Sequence, residues 1–223
     1  MFLLIDKPKG MTSHDVVDEV RKVTGQKKVG HAGTLDPNAT GLLIVAVGRE
    51  STKKLGGLLK KDKVYEAQLI LGETRDTDDV EGKILEKIEV NNPPTTEEVK
   101  KVLKSFIGKQ KQAPSIYSAI KVKGKKAYEL AREGKKVELE LRDIEIFEIH
   151  LLKYEFPTLK INIKVSSGTY IRSLARDVGE KLESGAYLKE LRRTQIGFYS
   201  VEDAVQLKSL DNKMYRKRAF NID

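Results

Sequence analysis

The chain has 223 residues, enough for one well-filled hydrophobic core, and its 42 basic against 33 acidic side chains give a net charge of +9. The absence of cysteine excludes disulfide bonds and cysteine nucleophiles, and no two of the three histidines share helical spacing, so we expect no metal site. No segment reaches the roughly 20 apolar residues that span a bilayer, and the apolar start meets Asp6 too early for a signal peptide. We therefore expect a cytoplasmic protein with no membrane attachment, whose positive charge suits a polyanionic partner.

Apolar spacing in the first third of the chain predicts strands and helices in alternation. Residues 2–5 predict a strand, and Ser13 predicts the cap of a helix that ends at Gly25. The continuous apolar run at 42–47 indicates a buried strand, and leucines at 55–59 indicate a second helix.

The remaining two thirds mix strands and helices without a regular βαβ repeat. Predicted strands lie at residues 64–71, 83–90, 116–122, 137–151 and 159–165. Thr95 and Glu98 form a capping-box pattern, and a further helix opens after Gly168. The acidic run at 76–80 has Val80 where a calcium loop needs a ligand, so we interpret it as a solvated loop. The mixture indicates an α+β fold, and the absence of linkers predicts a single catalytic domain over residues 1–223.

Asp36 is the carboxylate whose position in the sequence suits catalysis. Asp36 follows a glycine-flanked histidine, His31, and precedes Pro37, which disfavours helix and predicts that the side chain projects from a loop. A buried strand comes next, at 42–47, so the acid lies at the edge of a sheet. An acid in that setting suits covalent catalysis by a carboxylate, and His31 is a candidate acid/base partner.

A basic segment at about 110–150 has the composition of an RNA-binding surface. Cations are interleaved there with aromatic rings, at Tyr117, Lys121, Lys123, Lys125, Lys126, Tyr128 and Arg132. Lysine and arginine hold phosphates while the rings stack on bases. A smaller cluster surrounds Tyr215, at residues 213–218; for both clusters the alternative is a solvated basic face.

Arg172 is unusual because it falls in the first turn of a predicted helix. The helix dipole disfavours cations at that end. We therefore expect Arg172 to have a carboxylate or phosphate partner.

Six segments in order cover about residues 2–194: Asp6–Ser13, Lys28–Leu43, Asp62–Ala67, Tyr117–Arg132, Gly168–Leu174 and Tyr187–Arg193. Together they resemble the ordered motifs of the TruB family of tRNA pseudouridine-55 synthases. The resemblance implies the pseudouridine synthase fold: a mixed, mostly antiparallel sheet flanked by helices, with a central catalytic cleft. It also implies isomerisation of uridine 55 in the T-loop of tRNA, with the base flipped out of the loop.

The resemblance assigns roles residue by residue. It implies that Asp36 is the nucleophile, that Arg172 pairs with Asp36 and that Tyr65 stacks on the flipped base. It implies further that His31 fills the space vacated in the RNA loop, while Tyr170 and Leu191 line the uridine pocket. The family uses no metal and no organic cofactor. We expect a monomer whose partner is the T-arm stem-loop of tRNA, with no small-molecule cofactor.

Several alternatives stay open at this point. Only about thirty residues follow the last motif, so we expect no C-terminal RNA-binding domain of the PUA type. The carboxylate could attack ribose C1′, add to C6 of the base, or assist removal of a ribose proton. Rival interpretations are a non-catalytic RNA-binding module, a hydrolase built on His31 and Asp36, and a relative that modifies a different RNA.

Overall fold

The computed structural model describes residues 1–117, 121–122, 124–127, 130 and 139–222. The chain forms two compact units, which we call unit 1 (Met1–Glu66 and Leu191–Asp223) and unit 2 (Ala67–Glu190). The sequence-based expectation of a single catalytic domain stays a prediction. In the described ranges, no helix has the length and apolar character needed to cross a membrane.

Strands and helices alternate irregularly along the described ranges, as an α+β fold requires. The strands are β1 (Phe2–Lys7), β2 (Val29–Ala32), β3 (Thr40–Val47), β4 (Lys63–Leu71), β5 (Glu73–Arg75), β6 (Ile84–Lys87), β7 (Gly108–Gln112), β8 (Lys121–Val122), β9 (Lys125–Lys126), β10 (Arg142–Glu155), β11 (Thr158–Val165), β12 (Ala186–Ile196), β13 (Tyr199–Ser200) and β14 (Val205–Gln206). The α-helices are α1 (Ser13–Thr24), α2 (Arg49–Lys53), α3 (Leu55–Leu59), α4 (Thr96–Lys104), α5 (Ile171–Lys181) and α6 (Asn212–Arg218). The predicted fold class is confirmed.

Unit 1 is built on a mixed sheet with strand order β14, β1, β3, β12 and β4. β3 pairs antiparallel with β1, from Phe2 opposite Ala46 onward, and antiparallel with β2. β12 pairs parallel with β3, with Arg192 opposite Thr40. β3 is therefore the central strand of this unit, and the loop that precedes it is held against a rigid element.

β3 is buried on both faces, which explains its continuous apolar sequence. Successive side chains of a strand point to opposite faces. One set, Leu43, Val45 and Val47, packs in a core with α1 and α6. The other set, Leu42, Ile44 and Ala46, packs in a second core with Phe2, Leu58 and Ile196.

Helix α1 begins one residue earlier than predicted. Its cap is Thr12, whose side chain accepts a hydrogen bond from the Asp15 N–H, while the Asp15 carboxylate accepts from the Thr12 N–H at 2.7 Å. The predicted cap, Ser13, is already inside the helix, and its hydroxyl serves a different contact described below. The helix ends as predicted at Gly25, whose φ of 68° lies in the left-handed region that glycine adopts without strain.

Unit 2 has a second run of strands in the order β4, β11, β10 and β7, with α4 and α5 and the hairpin of β5 and β6. The Thr95–Glu98 capping box is present. The predicted strand at 83–90 is confirmed only for β6, Ile84–Lys87, and the Ile88 N–H donates to the Gly72 carbonyl, directly after the Glu73–Lys87 pair. The strand expected at 116–122 is wrong at its start: Tyr117 lies in a turn, and its N–H donates to the Ser115 hydroxyl.

The predicted strand at 137–151 also starts later than expected. β10 begins at Arg142, and residues 139–141 are irregular. Residues 137 and 138 lie outside the described part of the chain. The predicted strand at 159–165 is confirmed as β11.

Candidate active site

Asp36 lies in the loop between β2 and β3, as the sequence predicts. The loop closes with a turn in which the Ala39 N–H donates to the Asp36 carbonyl at 3.0 Å. Asp36 itself is partly exposed, whereas Leu35 on one side and Ala39 on the other are buried. The backbone is thus anchored by apolar neighbours, whereas Asp36 is not fully buried.

Two buried side chains hold the loop on either side of Asp36. The Ser13 hydroxyl accepts a hydrogen bond from the Leu35 N–H at 2.8 Å and donates to the Leu35 carbonyl at 3.1 Å. The Lys7 ammonium donates to the Pro37 carbonyl at 3.1 Å, and the Gly10 N–H donates to the same oxygen at 2.9 Å. Both residues that flank Asp36 are therefore fixed through their backbone atoms.

Lys7 is fully buried, and its ammonium donates three hydrogen bonds to backbone carbonyls. Besides the Pro37 carbonyl, it donates to the carbonyls of Pro8 at 3.0 Å and Met11 at 2.6 Å. Burial lowers the pKa of Lys7 to about 8, and the Asp36 carboxylate opposes that shift. At neutral pH Lys7 is thus mainly protonated, and it places a buried positive charge beside the loop that carries Asp36.

Arg193 braces both ends of the same loop. Its guanidinium donates to the Leu42 carbonyl at 2.8 Å and to the Gly33 carbonyl at 2.9 Å, and the side chain is almost completely buried. Gly41 has a φ of +100°, and a side chain there would collide with the Arg193 backbone carbonyl. From the sequence, Arg193 was noted only as the last residue of the sixth motif; two adjacent arginines, of which one must face the buried side of a strand, are the signal that could have identified it.

The other unit 1 candidates occupy regular positions in the sheet. His31 lies on β2, and burial lowers the pKa of its imidazole, with a further contribution from Arg193. Its Nδ1 is buried and has no hydrogen-bond partner among the described residues. Tyr65 is buried on β4, and the Leu191 carbonyl on β12 accepts from the Thr40 hydroxyl at 3.5 Å.

In unit 2, Arg172 has the carboxylate partner that its helix position predicts. It lies in the first turn of α5, and its guanidinium forms an ion pair with the Asp79 carboxylate at 3.3 Å. The same group donates to the Tyr117 carbonyl at 3.2 Å and to the Thr77 carbonyl at 3.5 Å. The predicted pairing of Arg172 with Asp36 stays a prediction.

The acidic run at 76–80 is not a solvated loop, contrary to the sequence analysis. Asp78 and Asp79 are both buried. Arg176, one turn after Arg172 on α5, pairs with the Asp78 carboxylate at 3.3 Å. Two arginines four residues apart share a helix face, and that spacing is the signal that could have predicted two buried acidic partners.

Asp78 is held in an unfavourable setting. Its φ of 61° is rare for a residue with a side chain. Burial raises the pKa of its carboxyl to about 6, although Arg176 and Arg172 both oppose the shift. Asp78 directly precedes Asp79, the partner of Arg172.

The remaining predicted residues belong to unit 2, and part of them lies outside the described residues. The Tyr170 backbone is fixed by Gln112, which accepts from its N–H at 2.9 Å and donates to its carbonyl at 3.0 Å. Lys121 lies on β8, and Lys125 and Lys126 lie on β9 of one small hairpin. Lys123, Tyr128 and Arg132 are outside the described residues.

No group of three or more His, Asp or Glu side chains suited to a metal ion occurs in the described ranges.

Comparison with known proteins identifies two family models along the chain. The model of the TruB family pseudouridylate synthase N-terminal domain matches residues 21–171. The model of the tRNA pseudouridylate synthase B C-terminal domain matches residues 172–221.

Curated relatives give the same result. The tRNA pseudouridine synthase B of Clostridium novyi is 45% identical over 221 residues, which cover 99% of this chain and 75% of that protein. The protein of the same name from Thermosipho melanesiensis is 48% identical over 204 residues, covering 92% of this chain and 66% of that protein. The one from Endomicrobium trichonymphae is 44% identical, covering 94% and 90%.

Solved structures with the same fold include longer chains. The similarity to a Cbf5–Nop10–Gar1 complex has a TM-score of 0.73 at 29% identity and covers 96% of this chain and 54% of that one. An H/ACA ribonucleoprotein bound to a substrate RNA containing 2′-deoxyuridine gives 0.71 at 28%, with 96% and 53% covered. This chain thus spans about half the length of those chains. From the motifs, the fold and these matches, the chain belongs to the TruB family of pseudouridylate synthases.

Proposed function

We propose that this chain isomerises uridine to pseudouridine in the T-loop of tRNA, with Asp36 as the catalytic carboxylate. The observation that carries the proposal is the loop between β2 and β3, in which Asp36 is the partly exposed residue between two clamped neighbours. A nucleophile held in this way needs little reorganisation before attack. The relatives named tRNA pseudouridine synthase B support tRNA as the substrate.

The reaction needs no net oxidation or reduction. The glycosidic bond between ribose C1′ and N1 breaks, a bond between C1′ and C5 forms, the C5 proton leaves and N1 gains a proton. Asp36 can serve this exchange by attack on C1′, by addition to C6 or by assisting removal of a ribose proton. In each case the Lys7 ammonium holds the Pro37 carbonyl and so fixes the backbone next to Asp36.

Other side chains complete the proposed site. We assign base stacking to Tyr65, occupation of the vacated RNA loop to His31, and the lining of the uridine pocket to Tyr170 and Leu191. The lowered pKa of His31 supports its role, because a neutral imidazole enters a stack of bases with a smaller desolvation cost than a cation. Arg172 is assigned to pair with Asp36, and its contact with Asp79 orients the guanidinium.

The basic segment is proposed to grip the RNA. Phosphates of the T-arm would be held by lysines and bases by tyrosines, through Tyr117, Lys121, Lys123, Lys125, Lys126, Tyr128 and Arg132. A tRNA substrate requires the protein to act where tRNA is present, so the proposal includes a cytoplasmic location. It also includes a monomeric state.

The experiment is treatment of an unmodified tRNA transcript with the purified chain, followed by mass-spectrometric mapping of pseudouridine. We expect one modified uridine in the T-loop, and the same product from an isolated T-arm stem-loop. Asp36→Asn is the matched control, because it removes the charge at nearly constant volume and should retain RNA affinity. Modification of a different RNA but not of tRNA would refute the tRNA assignment, and no pseudouridine in any RNA would refute the activity.

A further inference from the structure

The C-terminal helix α6 lies against the end of α1. The Asn212 side-chain amide donates to the Val23 carbonyl in the last turn of α1, at 3.4 Å. Met214 and Tyr215 pack against the core formed by α1 and β3. The outward side of α6 is thereby placed beside the residues that follow α1.

Exposed cations lie on α6, just before it in the chain, and in the segment that follows α1. We call them the α6 surface, and its members are Lys27, Lys28, Lys208, Lys213, Arg216, Lys217 and Arg218. Lys27 lies four residues after Val23 and so within about 14 Å of it. The segments are distant in sequence, so their shared charge is a property of the fold.

The cations of the α6 surface lack acidic partners among the described residues. Some helical lysines elsewhere are paired on their own helices, as Lys22 is with Glu19 at 2.7 Å and Lys53 with Glu50 at 2.9 Å. On the α6 surface, Arg216 donates to the neutral Asn212 side chain at 3.0 Å and forms no ion pair within the described part of the chain. The nearby Asp211 carboxylate is engaged as the cap of α6, where it accepts from the Met214 N–H.

The surface is also well separated from the catalytic loop. α1 has 12 residues from Ser13 to Thr24, which at 1.5 Å each is about 18 Å. Ser13 contacts Leu35 in the catalytic loop, whereas the α6 surface lies at the opposite end of the helix. A polyanion that bound there while its uridine reached Asp36 would be contacted at a second place along its backbone.

We propose that the α6 surface is a second RNA-contacting site, which binds tRNA phosphates outside the T-loop. This inference rests on the proposed function, since it takes tRNA as the partner. Contacts of lysine and arginine with phosphates position the RNA without reading its sequence. Each such contact releases a counterion, so affinity becomes steeply dependent on salt.

The test neutralises three members of the surface together, in the variant Lys213→Gln, Arg216→Gln, Lys217→Gln. A control variant removes the same charge from the exposed lysines of α4, by Lys100→Gln, Lys101→Gln and Lys104→Gln. The dissociation constant for whole tRNA is measured for both variants and wild type at several salt concentrations. Pseudouridine formation in the T-arm stem-loop is measured in parallel.

We expect the α6 variant to bind whole tRNA roughly 10- to 100-fold more weakly, with a salt slope lower by about 2 to 3. Turnover of the stem-loop should stay within twofold of wild type. An unchanged slope and affinity would overturn the inference, as would an equal loss in the α4 variant, which would indicate a net-charge effect. If wild type bound tRNA without forming pseudouridine, the proposed function would be wrong. The salt dependence of tRNA affinity in the α6 variant and wild type would still show whether the α6 surface contacts RNA.

Discussion

Removal of the Ser13 hydroxyl measures how far one side chain fixes the loop that carries Asp36. In Ser13→Ala, the N–H and the carbonyl of Leu35 both lose their partner in a buried environment. Each unsatisfied buried polar group costs about 1–3 kcal/mol. Allowing for partial relaxation, we expect the closed loop to be destabilised by about 2–4 kcal/mol relative to local opening.

This free energy converts directly into a local exchange rate. At 1.4 kcal/mol per tenfold change, amide hydrogen exchange at Leu35 should accelerate by roughly 30- to 1,000-fold. The single-turnover rate of pseudouridine formation should fall about tenfold or more, because Asp36 spends less time in its reactive position. Affinity for the T-arm stem-loop should change by no more than about twofold.

Thr24→Val is the matched control, because it also removes a partly buried hydroxyl from α1. The Thr24 hydroxyl donates to the Val20 carbonyl and accepts from the Gln26 N–H, and among the described residues it has no hydrogen bond to the loop that carries Asp36. This variant should leave Leu35 exchange and turnover at wild-type values. If Ser13→Ala did so as well, the loop would be held without the Ser13 hydroxyl and the reasoning would be wrong.

Three further predictions concern unit 2. Asp79→Asn removes the charge that orients Arg172, so the single-turnover rate should fall about tenfold or more; an unchanged rate would exclude a positioning role. Burial raises the pKa of Asp78 to about 6 from 3.8, so the folded state binds the proton more tightly and ionisation of Asp78 destabilises it as pH rises through that window. The free energy of unfolding of Asp78→Asn, measured in urea, should therefore rise relative to that of wild type by about 1–3 kcal/mol from pH 4 to pH 7; a difference between the two proteins that did not change with pH would contradict this. The buried Ser173 hydroxyl has no partner among the described residues, so Ser173→Ala should be neutral or stabilising by up to about 1 kcal/mol; a clear loss in melting temperature would refute this.

Local sequence patterns predicted the position of Asp36 and the start of α5. The Asp36–Pro37 step and the apolar run after it are local signals, and the structure confirms a loop followed by a buried strand. The unusual place of Arg172 in the first turn of a helix correctly predicted a carboxylate partner. Each of these inferences depended on a few adjacent residues.

The partners themselves could not be predicted from such patterns. Arg172 and Asp79 are 93 residues apart, so their contact depends on how the strands and helices of unit 2 pack. The same is true of Arg193, which reaches the Gly33 carbonyl across 160 residues. The cap of helix α1 could not be predicted for a similar reason. Thr12 and Ser13 are both good capping residues, but the Ser13 hydroxyl bonds to Leu35, and Thr12 is the cap.

The central claim, that Asp36 is the carboxylate of a uridine isomerase, is tested most directly by tritium release. A T-arm stem-loop labelled at C5 of its uridines loses tritium to water only when the bond from C1′ to C5 replaces the C5 hydrogen. We predict release of one tritium per stem-loop by wild type and none by Asp36→Asn, with equal RNA affinity for the two proteins. Release at the wild-type rate by Asp36→Asn would contradict the account.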